Sequence, residues 1–268
     1  MRMRPMLVLA ACCIVALTGC NSEAAEARQA RNRCDAGDVS ACVEFAERLI
    51  EGDHVLQDDA GAARYYEQAC EGGAADACAR LGVLYQAGRG VPTDSTRAAT
   101  LFRTACDGGA AAGCSNLGIH ERGRARNPQE MAHAAALLDR GCASGDPAGC
   151  ADLAELFIAG TGVPRDVDRA AALAGTACDA KLLRGCVTLA TLNLGDDLPS
   201  ADPVRAAGLL RTACYVEDDS DIGAACAQLS TLYASGNGVT QNVDSASALK
   251  WRACRLGHEP ACPQREEE

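Results

Sequence analysis

Aromatic residues are scarce in this sequence, since phenylalanine, tryptophan and tyrosine together make up 3% of its 268 residues. A core without large rings has to rest on leucine, alanine and valine, and alanine-lined helices bury less apolar area per residue. Positive charge is also limited, because 25 Lys and Arg stand against 36 Asp and Glu, for a formal net charge of −11. An acidic chain is a poor partner for nucleic acid or anionic lipid. We therefore expect no nucleic acid partner.

Long apolar runs are lacking as well, apart from residues 6–17, which are too short to span a bilayer as a helix. Arg2 and Arg4 precede this run, so it predicts a cleaved export signal. The residues that follow, Leu17-Thr18-Gly19-Cys20, resemble the bacterial lipobox. That resemblance implies that Cys20 is the lipid-modified first residue of the mature protein; an ordinary signal with an incidental cysteine is the alternative.

Two acyl chains or more supply enough buried methylene groups for stable anchoring without a spanning helix. We therefore expect an exported lipoprotein on the periplasmic face of the outer membrane or on the cell surface. Membrane contact would be made through the lipid alone. Removal of residues 1–19 takes away two arginines and no acid, so the mature chain is more acidic still.

Cysteine, in contrast, is abundant, and 14 of its 17 copies follow a fixed spacing. The first members of seven pairs stand 36 residues apart, or 40 before the last, and each second member follows after eight residues, or twelve in the sixth pair. A constant period of this length predicts one structural unit copied along the chain, as in a solenoid. The pairs are Cys34 and Cys42, Cys70 and Cys78, Cys106 and Cys114, Cys142 and Cys150, Cys178 and Cys186, Cys214 and Cys226, and Cys254 and Cys262.

These 14 cysteines are expected to form seven disulfides, because an even number of thiols in an oxidising compartment can all be paired. Joining Cys42 to Cys70, and so on, would leave Cys34 and Cys262 unpaired, whereas joining the members of each pair leaves none. We therefore predict bonds within the pairs, each contributing about 2.5 kcal/mol through loop entropy. Zinc is a weaker alternative, since its cysteine ligands usually lie two to four residues apart. No metal or cofactor is expected.

Each unit is predicted to consist of a helix, a turn and a second helix. Apolar residues at helical spacing after the second cysteine mark the buried face of the first helix. The bulky position of that face holds Phe45, Leu81, Leu117, Leu153, Leu189 and Leu229. In the second helix, an alanine is followed three residues later by Tyr65, Leu101, Leu137, Leu173, Leu209 or Leu249.

Glycine-rich turns separate the two helices in alternate units, as in residues 88–92 and 160–164, where glycine supplies a positive φ after a helix end. A phosphate-binding loop is the poorer interpretation, because no strand precedes these glycines and no lysine follows. After the turn comes an acidic or amide position, which suits a helix cap better than a cation ligand. This position holds Asp58, Asp94, Glu130, Asp166, Asp202 and Asn242.

The segment Leu-Gly-Val-Leu-Tyr-Gln-Ala-Gly-Arg-Gly-Val-Pro-Thr-Asp at residues 81–94 resembles the Sel1-like repeat, a relative of the tetratricopeptide repeat. With its cysteine pairs, the chain is similar to the Helicobacter cysteine-rich secreted proteins. The resemblance implies an all-α, right-handed solenoid of about six repeats over residues 34–262, stapled by disulfides. We assign residues 1–19 to the signal, 20–33 to the lipid anchor and a short helix or flexible tether, and 263–268 to an acidic tail.

Catalytic chemistry has little support in the sequence. Ser247-Ala248-Leu249-Lys250 spells the S-x-x-K of penicillin-recognising serine enzymes, but their Ser-Asp-Asn and Lys-Thr-Gly partners are missing, so we interpret it as coincidence. The acidic insertion at residues 217–221 is expected to be a solvated loop, with calcium binding as a minor alternative. No repeat position is shared by the four histidines, His54, His120, His133 and His258.

The remaining candidate site is a stripe on the first helices, beside their buried positions. In the tetratricopeptide relatives this face holds peptides, and its mixture of small, apolar and polar residues suits a peptide or protein partner. Packing against neighbouring helices is the alternative. The stripe comprises Ala79, Val83, Gln86, Ser115, Ile119, Arg122, Ala151, Glu155, Ile158, Val187, Thr191 and Leu194.

Our leading hypothesis is a non-catalytic scaffold of the bacterial envelope that binds a protein or peptide. The similarity to the Helicobacter proteins implies an alternative, penicillin binding or weak β-lactam hydrolysis, for which the sequence offers no identifiable nucleophile and base. A passive spacer without any ligand is the third possibility.

Overall fold

The structure, a computed structural model, describes residues 23–216 and 222–262. The expectations for the signal segment, Cys20, the acidic insertion at 217–221 and the tail at 263–268 lie outside these residues. All the regular secondary structure that is described is helical. Every one of the described helices is too short or too polar to cross a membrane.

Thirteen α-helices and one 3-10 helix occur in the described part of the chain. The first, α1, covers residues 23–35. The others are α2 (Val39–Glu51), α3 (Asp59–Glu71), α4 (Ala75–Ala87), α5 (Ser95–Asp107), α6 (Ala111–Arg122), α7 (Pro128–Ala143), α8 (Pro147–Ala159), α9 (Val167–Asp179), α10 (Leu183–Leu194), α11 (Pro203–Cys214), α12 (Ile222–Ser235), α13 (Val243–Arg255) and the 3-10 helix η1 (Glu259–Ala261).

The chain divides after Leu117 into two compact units. In the first unit, one core joins α1, α2, α3 and α4 and contains Phe45, Tyr66 and Leu81. In the second unit, one core is built around Leu138, Leu153 and Phe157 of α7 and α8, and another around residues of α10 to α13. Each unit is thus a series of neighbouring helical hairpins, in which short layers of leucine and alanine replace a single large core.

Helix α1 shows that the packed repeats begin before Cys34. Of the two alternatives for this segment, a helix or a flexible tether, the structure has the helix. Ala27 and Ala30 are buried, and Ala30 and Cys34 belong to the core of the first unit. The carboxylate of Glu23 lies 2.9 Å from Nε2 of His54. Helix α1 therefore occupies the place of a second helix in an incomplete repeat at the start of the first unit.

The buried face predicted for the first helices is confirmed. All six residues at its bulky position are between 1% and 7% exposed. The small residue that follows permits close approach of the second helix: a Cβ atom at Gly82 would lie 2.5 Å from Phe102 Cε1, and one at Gly118 would lie 2.8 Å from Leu138 Cγ. These two glycines leave the space that the larger side chains occupy.

The prediction for the second helices is confirmed at Leu137 and Leu249, which are 6% and 5% exposed, and needs a correction of one residue in the other four helices. Tyr65, Leu101, Leu173 and Leu209 are only partly buried. The next residue along the helix lies deeper, because the helix is turned so that the position four residues after the buried alanine faces the first helix. The deeper residues are Tyr66, Phe102, Leu138, Ala174 and Leu210, each 3% exposed or less.

Five of the six predicted caps are present. The side chains of Asp58, Asp94, Asp166, Asp202 and Asn242 accept hydrogen bonds from backbone amides in the first turn of α3, α5, α9, α11 and α13. Glu130 was wrongly predicted as a cap. Asn127 caps α7 instead, because Pro128 fits the first helical position, and Glu130 accepts from the backbone amide of Arg126 at 2.7 Å.

The glycine-rich turns touch the repeat that precedes them. Gly90 has φ +68°, and a Cβ atom there would lie 2.2 Å from the carbonyl carbon of Asp59, at the start of α3. Gly238 makes the same kind of contact, 2.1 Å from the carbonyl oxygen of Pro203 at the start of α11. The second glycine of the turn is thus needed for its conformation and for the space it leaves.

Seven disulfides link successive helices. Each joins the end of a second helix to the first helix that follows, and in the last bond Cys262 lies directly after η1. The Cα atoms of the bonded cysteines are 4.4–4.8 Å apart. The bonds therefore lie at the junctions between repeats. The predicted all-α repeat fold with disulfide staples is confirmed.

Candidate interaction face on the first helices

A network of four charged side chains connects the first helices α6, α8 and α10 of the second unit. Asp152 of α8 lies 2.9 Å from Nη2 of Arg122 and 2.5 Å from Nη2 of Arg184. Glu155, one turn further along α8, lies 3.0 Å from Arg122 and 3.4 Å from Arg184. Two guanidinium groups therefore bridge two carboxylates, and charges of opposite sign alternate across three helices.

The four side chains differ in their access to solvent. The side chain of Asp152 is 2% exposed, whereas those of Arg122, Arg184 and Glu155 are 27%, 34% and 40% exposed. A buried carboxylate requires compensation, and the two arginines supply it. The buried carboxylate of Asp152 thus fixes both guanidinium groups in place. Their other sides remain exposed to solvent together with Glu155.

Local structure places these residues on one face. Asp152 and Glu155 are three residues apart on α8, so they lie on the same side of that helix. Arg122 is the last residue of α6, and Arg184 is the second residue of α10. Both arginines reach α8 because the short helices of this unit pack side by side.

The same face of the first unit carries a simpler pair. Oε1 of Glu47 on α2 lies 2.9 Å from Nη2 of Arg80 on α4. These residues are 33 positions apart, as are Arg122 and Glu155. Sequence reasoning missed both pairs, although a search for opposite charges at that separation would have found them. The burial of Asp152 could not be predicted from the sequence, because it depends on how the helices pack.

The predicted stripe is only partly open to a ligand. In the first unit, Ala79 and Ser115 are buried, while Val83 and Gln86 are exposed. In the second unit, Ala151 is buried against Ala177. The expectation of an open position directly after the second cysteine was therefore wrong in these three cases. At Ala79 and Ala151 this position packs on the second helix of the same repeat, against Ala105 of α5 and Ala177 of α9. The rest of the stripe in the second unit is half-buried or exposed, namely Ile119, Arg122, Glu155, Ile158, Val187, Thr191 and Leu194.

A comparison of the sequence with known protein families agrees with this fold of repeated helical hairpins. The sequence profile of the Sel1 repeat matches residues 39–73, 75–109, 147–182 and 223–258, together more than half of the chain. The chain belongs to the Sel1 repeat family. Most of the unmatched residues of the Sel1 repeat region fall in two of the three repeats without a Gly-x-Gly turn, those of α6 and α7 and of α10 and α11.

Solved Sel1 repeat structures resemble this one at low sequence identity. An antigen of uropathogenic Escherichia coli with the same repeat fold has a TM-score of 0.71 at 22% identity, over 88% of this chain and 50% of that one. A Sel1 repeat protein of Oxalobacter formigenes also has a TM-score of 0.71 at 22% identity, over 82% and 89% of the two chains.

The immunity protein Pa5087 of Pseudomonas aeruginosa has a TM-score of 0.53 at 20% identity, over 84% of each chain. This Sel1 repeat protein spans half the length of the E. coli antigen, and identities this low show a common fold alone. No sequence among the curated proteins matches the chain.

The residues considered for catalysis in this Sel1 repeat protein lie apart from the charged network. Ser247 and Lys250 are both exposed on α13, beside a shallow depression that Trp251 and Ala261 also line. His133 Nε2 lies 3.2 Å from Glu121. Partial burial lowers the pKa of His120, as does Arg124, and Glu121 opposes them. Within residues 23–216 and 222–262, no three His, Cys, Asp or Glu side chains are arranged to hold a metal ion.

Proposed function

We propose that this Sel1 repeat protein is a non-catalytic scaffold that binds a protein or peptide on the first-helix face of α6, α8 and α10. The charged network at Asp152 carries the proposal. It presents Arg122, Arg184 and Glu155 at the surface in fixed positions, which reduces the conformational entropy that a partner's binding would cost. A protein-interaction role also fits the family to which the chain belongs.

The surroundings of the network suit a protein surface. Ile119 and Ile158 are partly buried in the α7–α10 core, and Val187 and Leu194 are partly buried in the adjacent one. Arginine set among apolar side chains is typical of the residues that dominate binding energy in protein interfaces. The partner would present apolar side chains around a polar group that pairs with Arg122 or Glu155.

The location follows from different features. We propose that the protein is exported and anchored through a lipid on Cys20, either on the periplasmic face of the outer membrane or on the cell surface. The lipobox-like residues Leu17 to Cys20 support this location, and seven disulfides favour an oxidising compartment. The partner is then an envelope protein or peptide, and the acidic chain does not favour nucleic acid.

A photo-crosslinking residue at Ile158 is expected to capture a discrete partner in intact cells. The same residue at Ala172, exposed on the second helix α9, serves as the control and should capture little. Glu155→Gln removes one charge of the face and should reduce capture from position 158 by about five-fold, the effect of losing about 1 kcal/mol. Quantitative mass spectrometry of the cross-linked products measures both.

A matched variant separates this effect from a general change of charge. Glu44 on α2 is exposed to a similar degree as Glu155 and also contacts an arginine, Arg48 at 3.3 Å. Glu44→Gln should leave capture unchanged. Equal capture from positions 158 and 172, or equal loss in the two glutamate variants, would show that the face of α6, α8 and α10 is not the binding surface.

A separate measurement tests the alternative function, penicillin binding or β-lactam hydrolysis. Intact-mass measurement after incubation with penicillin would reveal an acylated serine as an increase by the mass of the drug. A non-catalytic scaffold keeps its original mass. An acylated and slowly deacylating protein would contradict the non-catalytic role without bearing on the first-helix face.

A further inference from the structure

A cavity of about 370 Å³ lies between α11, α12 and α13, on the side of the second helices. It falls within the size range of small-molecule sites. Its lining combines two arginines, two tyrosines, a hydroxyl and apolar side chains, chiefly Arg211, Tyr215, Tyr233, Ser245, Leu249 and Arg252. None of these residues belongs to the first-helix face around Asp152.

In two earlier repeats, an arginine stands at the position that corresponds to Ser245. In the first unit, Arg97 lies over the ring of Tyr85, 4.7 Å from its centroid, and forms an ion pair with Glu67. In the second unit, Arg169 lies over the ring of Phe157 at 4.5 Å and pairs with Asp139 at 3.3 Å. An arginine stacked on an aromatic ring and paired with an acid is thus common to both copies.

The last copy departs from this pattern at its two charged positions. Ser245 stands where the other repeats have Arg97 and Arg169, so the volume of an arginine side chain is left open. Arg211 stands where they have Glu67 and Asp139, so the charge is reversed. Its Nη2 donates a hydrogen bond to the hydroxyl of Tyr233 at 3.1 Å. The aromatic residue of the pattern is kept, but its charged partners have changed.

A second arginine joins the first at this cavity. Arg252 replaces the threonines of the corresponding positions, Thr104 and Thr176. Its guanidinium lies over the ring of Tyr215 at 5.0 Å, and its Nε donates to the carbonyl oxygen of Cys214 at 3.1 Å. Among the described residues, neither Arg211 nor Arg252 pairs with a carboxylate. Each therefore keeps N–H donors for an external acceptor.

We propose that this cavity binds a small organic anion, a carboxylate carried on an aromatic or apolar group. The guanidinium groups of Arg211 and Arg252 receive the carboxylate, since arginine matches its geometry and retains its charge at any physiological pH. The rings of Tyr215 and Tyr233 and the side chain of Leu249 contact the apolar group. Two arginines that pair with no carboxylate among residues 23–216 and 222–262, in a chain of net charge −11, mark this cavity as a place where an anion is favoured.

Titration calorimetry with N-acetyl-L-phenylalanine tests the proposal on the oxidised, full-length mature protein. We expect a dissociation constant of about 1 mM or lower, and binding at least ten-fold weaker for N-acetyl-L-phenylalaninamide, which has the ring without the charge. Acetate, which has the charge without the ring, should bind at least ten-fold more weakly as well. Phenylacetate separates two sources of the anion, because it binds as well as the amino acid derivative only if no peptide group is recognised.

The variant Arg211→Glu/Ser245→Arg restores the acid and the arginine that the two earlier repeats have at these positions. It should keep the melting temperature of the parent protein and lose binding of N-acetyl-L-phenylalanine by more than ten-fold. Arg255→Gln, an exposed position of α13 outside the cavity, removes the same kind of charge and should bind normally. Equal affinity for the acid and the amide, no binding of either, or undiminished binding by the double variant would overturn the proposal.

The outcome is separate from that of the proposed scaffold function. The cavity lies between the second helices α11 and α13, and Glu155→Gln does not alter it. If no anion binds in the calorimetric titration, the crosslinking result at Ile158 still tests the scaffold function. If crosslinking at Ile158 captures no partner, the proposal of an anion site is unaffected.

Discussion

Refolding in the presence of a reductant is expected to leave the chain without a cooperative native state. Each disulfide closes a small ring and contributes about 2.5 kcal/mol by the loop-entropy estimate, and seven such contributions exceed the roughly 5–15 kcal/mol by which domains are usually stable. The rest of the core offers little to replace them, since aromatic residues make up 3% of the chain and alanine fills many buried positions.

Far-ultraviolet circular dichroism measures this result. The protein is unfolded in guanidinium chloride with and without a phosphine reductant, and the denaturant is then removed. The sample that was never reduced should regain its helical signal and a sharp thermal transition. The reduced sample should recover less helix and melt gradually. If both samples refolded with the same melting temperature, packing of the repeats alone would account for the stability.

Phe102→Ala is expected to lower the free energy of unfolding by about 3–5 kcal/mol, the usual cost of removing a buried phenylalanine. Phe102 is fully buried in the first unit and lies directly over Gly82. Gly82→Ala alone should cost about 1–3 kcal/mol, because its new methyl group would meet the ring at 2.5 Å. Urea denaturation followed by circular dichroism gives both values.

The double variant Gly82→Ala/Phe102→Ala supplies the control for this packing argument. In the second unit, the corresponding residues are Ala154 and Ala174, and both are fully buried. The added methyl group should occupy part of the space left by the ring, so the double variant should cost less than the sum of the single ones. Additive effects would show that residues 82 and 102 do not share one space.

The sequence was sufficient to predict the parts of the fold that repeat. A residue such as Leu153 is buried in every copy, and a capping residue such as Asp166 or Asn242 stands at the predicted position before every second helix except α7, so periodicity and capping chemistry identify both. The cysteine spacing located the links between repeats in the same way. Local features of this kind depend on near neighbours in the chain, and a repeat offers several copies for comparison.

The predictions that failed depended on how neighbouring helices contact one another. Ala79 and Ala151 have the same small size as surface alanines elsewhere, and they are buried by packing on α5 and α9. The cap of α7 moved to Asn127 because a proline follows it. The two arginines of the cavity beside Ser245 could not be recognised from one repeat alone, because Arg211 and Arg252 stand out only against the residues at the same positions of the other repeats.

Tryptic mapping of the unreduced protein tests most directly the claim that disulfides link each second helix to the next first helix. Five of the seven bonds fall within single tryptic peptides, such as residues 34–48 and 65–80, and each of these peptides should be two hydrogens lighter than its dithiol form. The other two bonds, Cys178 to Cys186 and Cys254 to Cys262, should each join two peptides. Free thiols, or a bond from Cys42 to Cys70 that joins the peptides 34–48 and 65–80, would contradict the account.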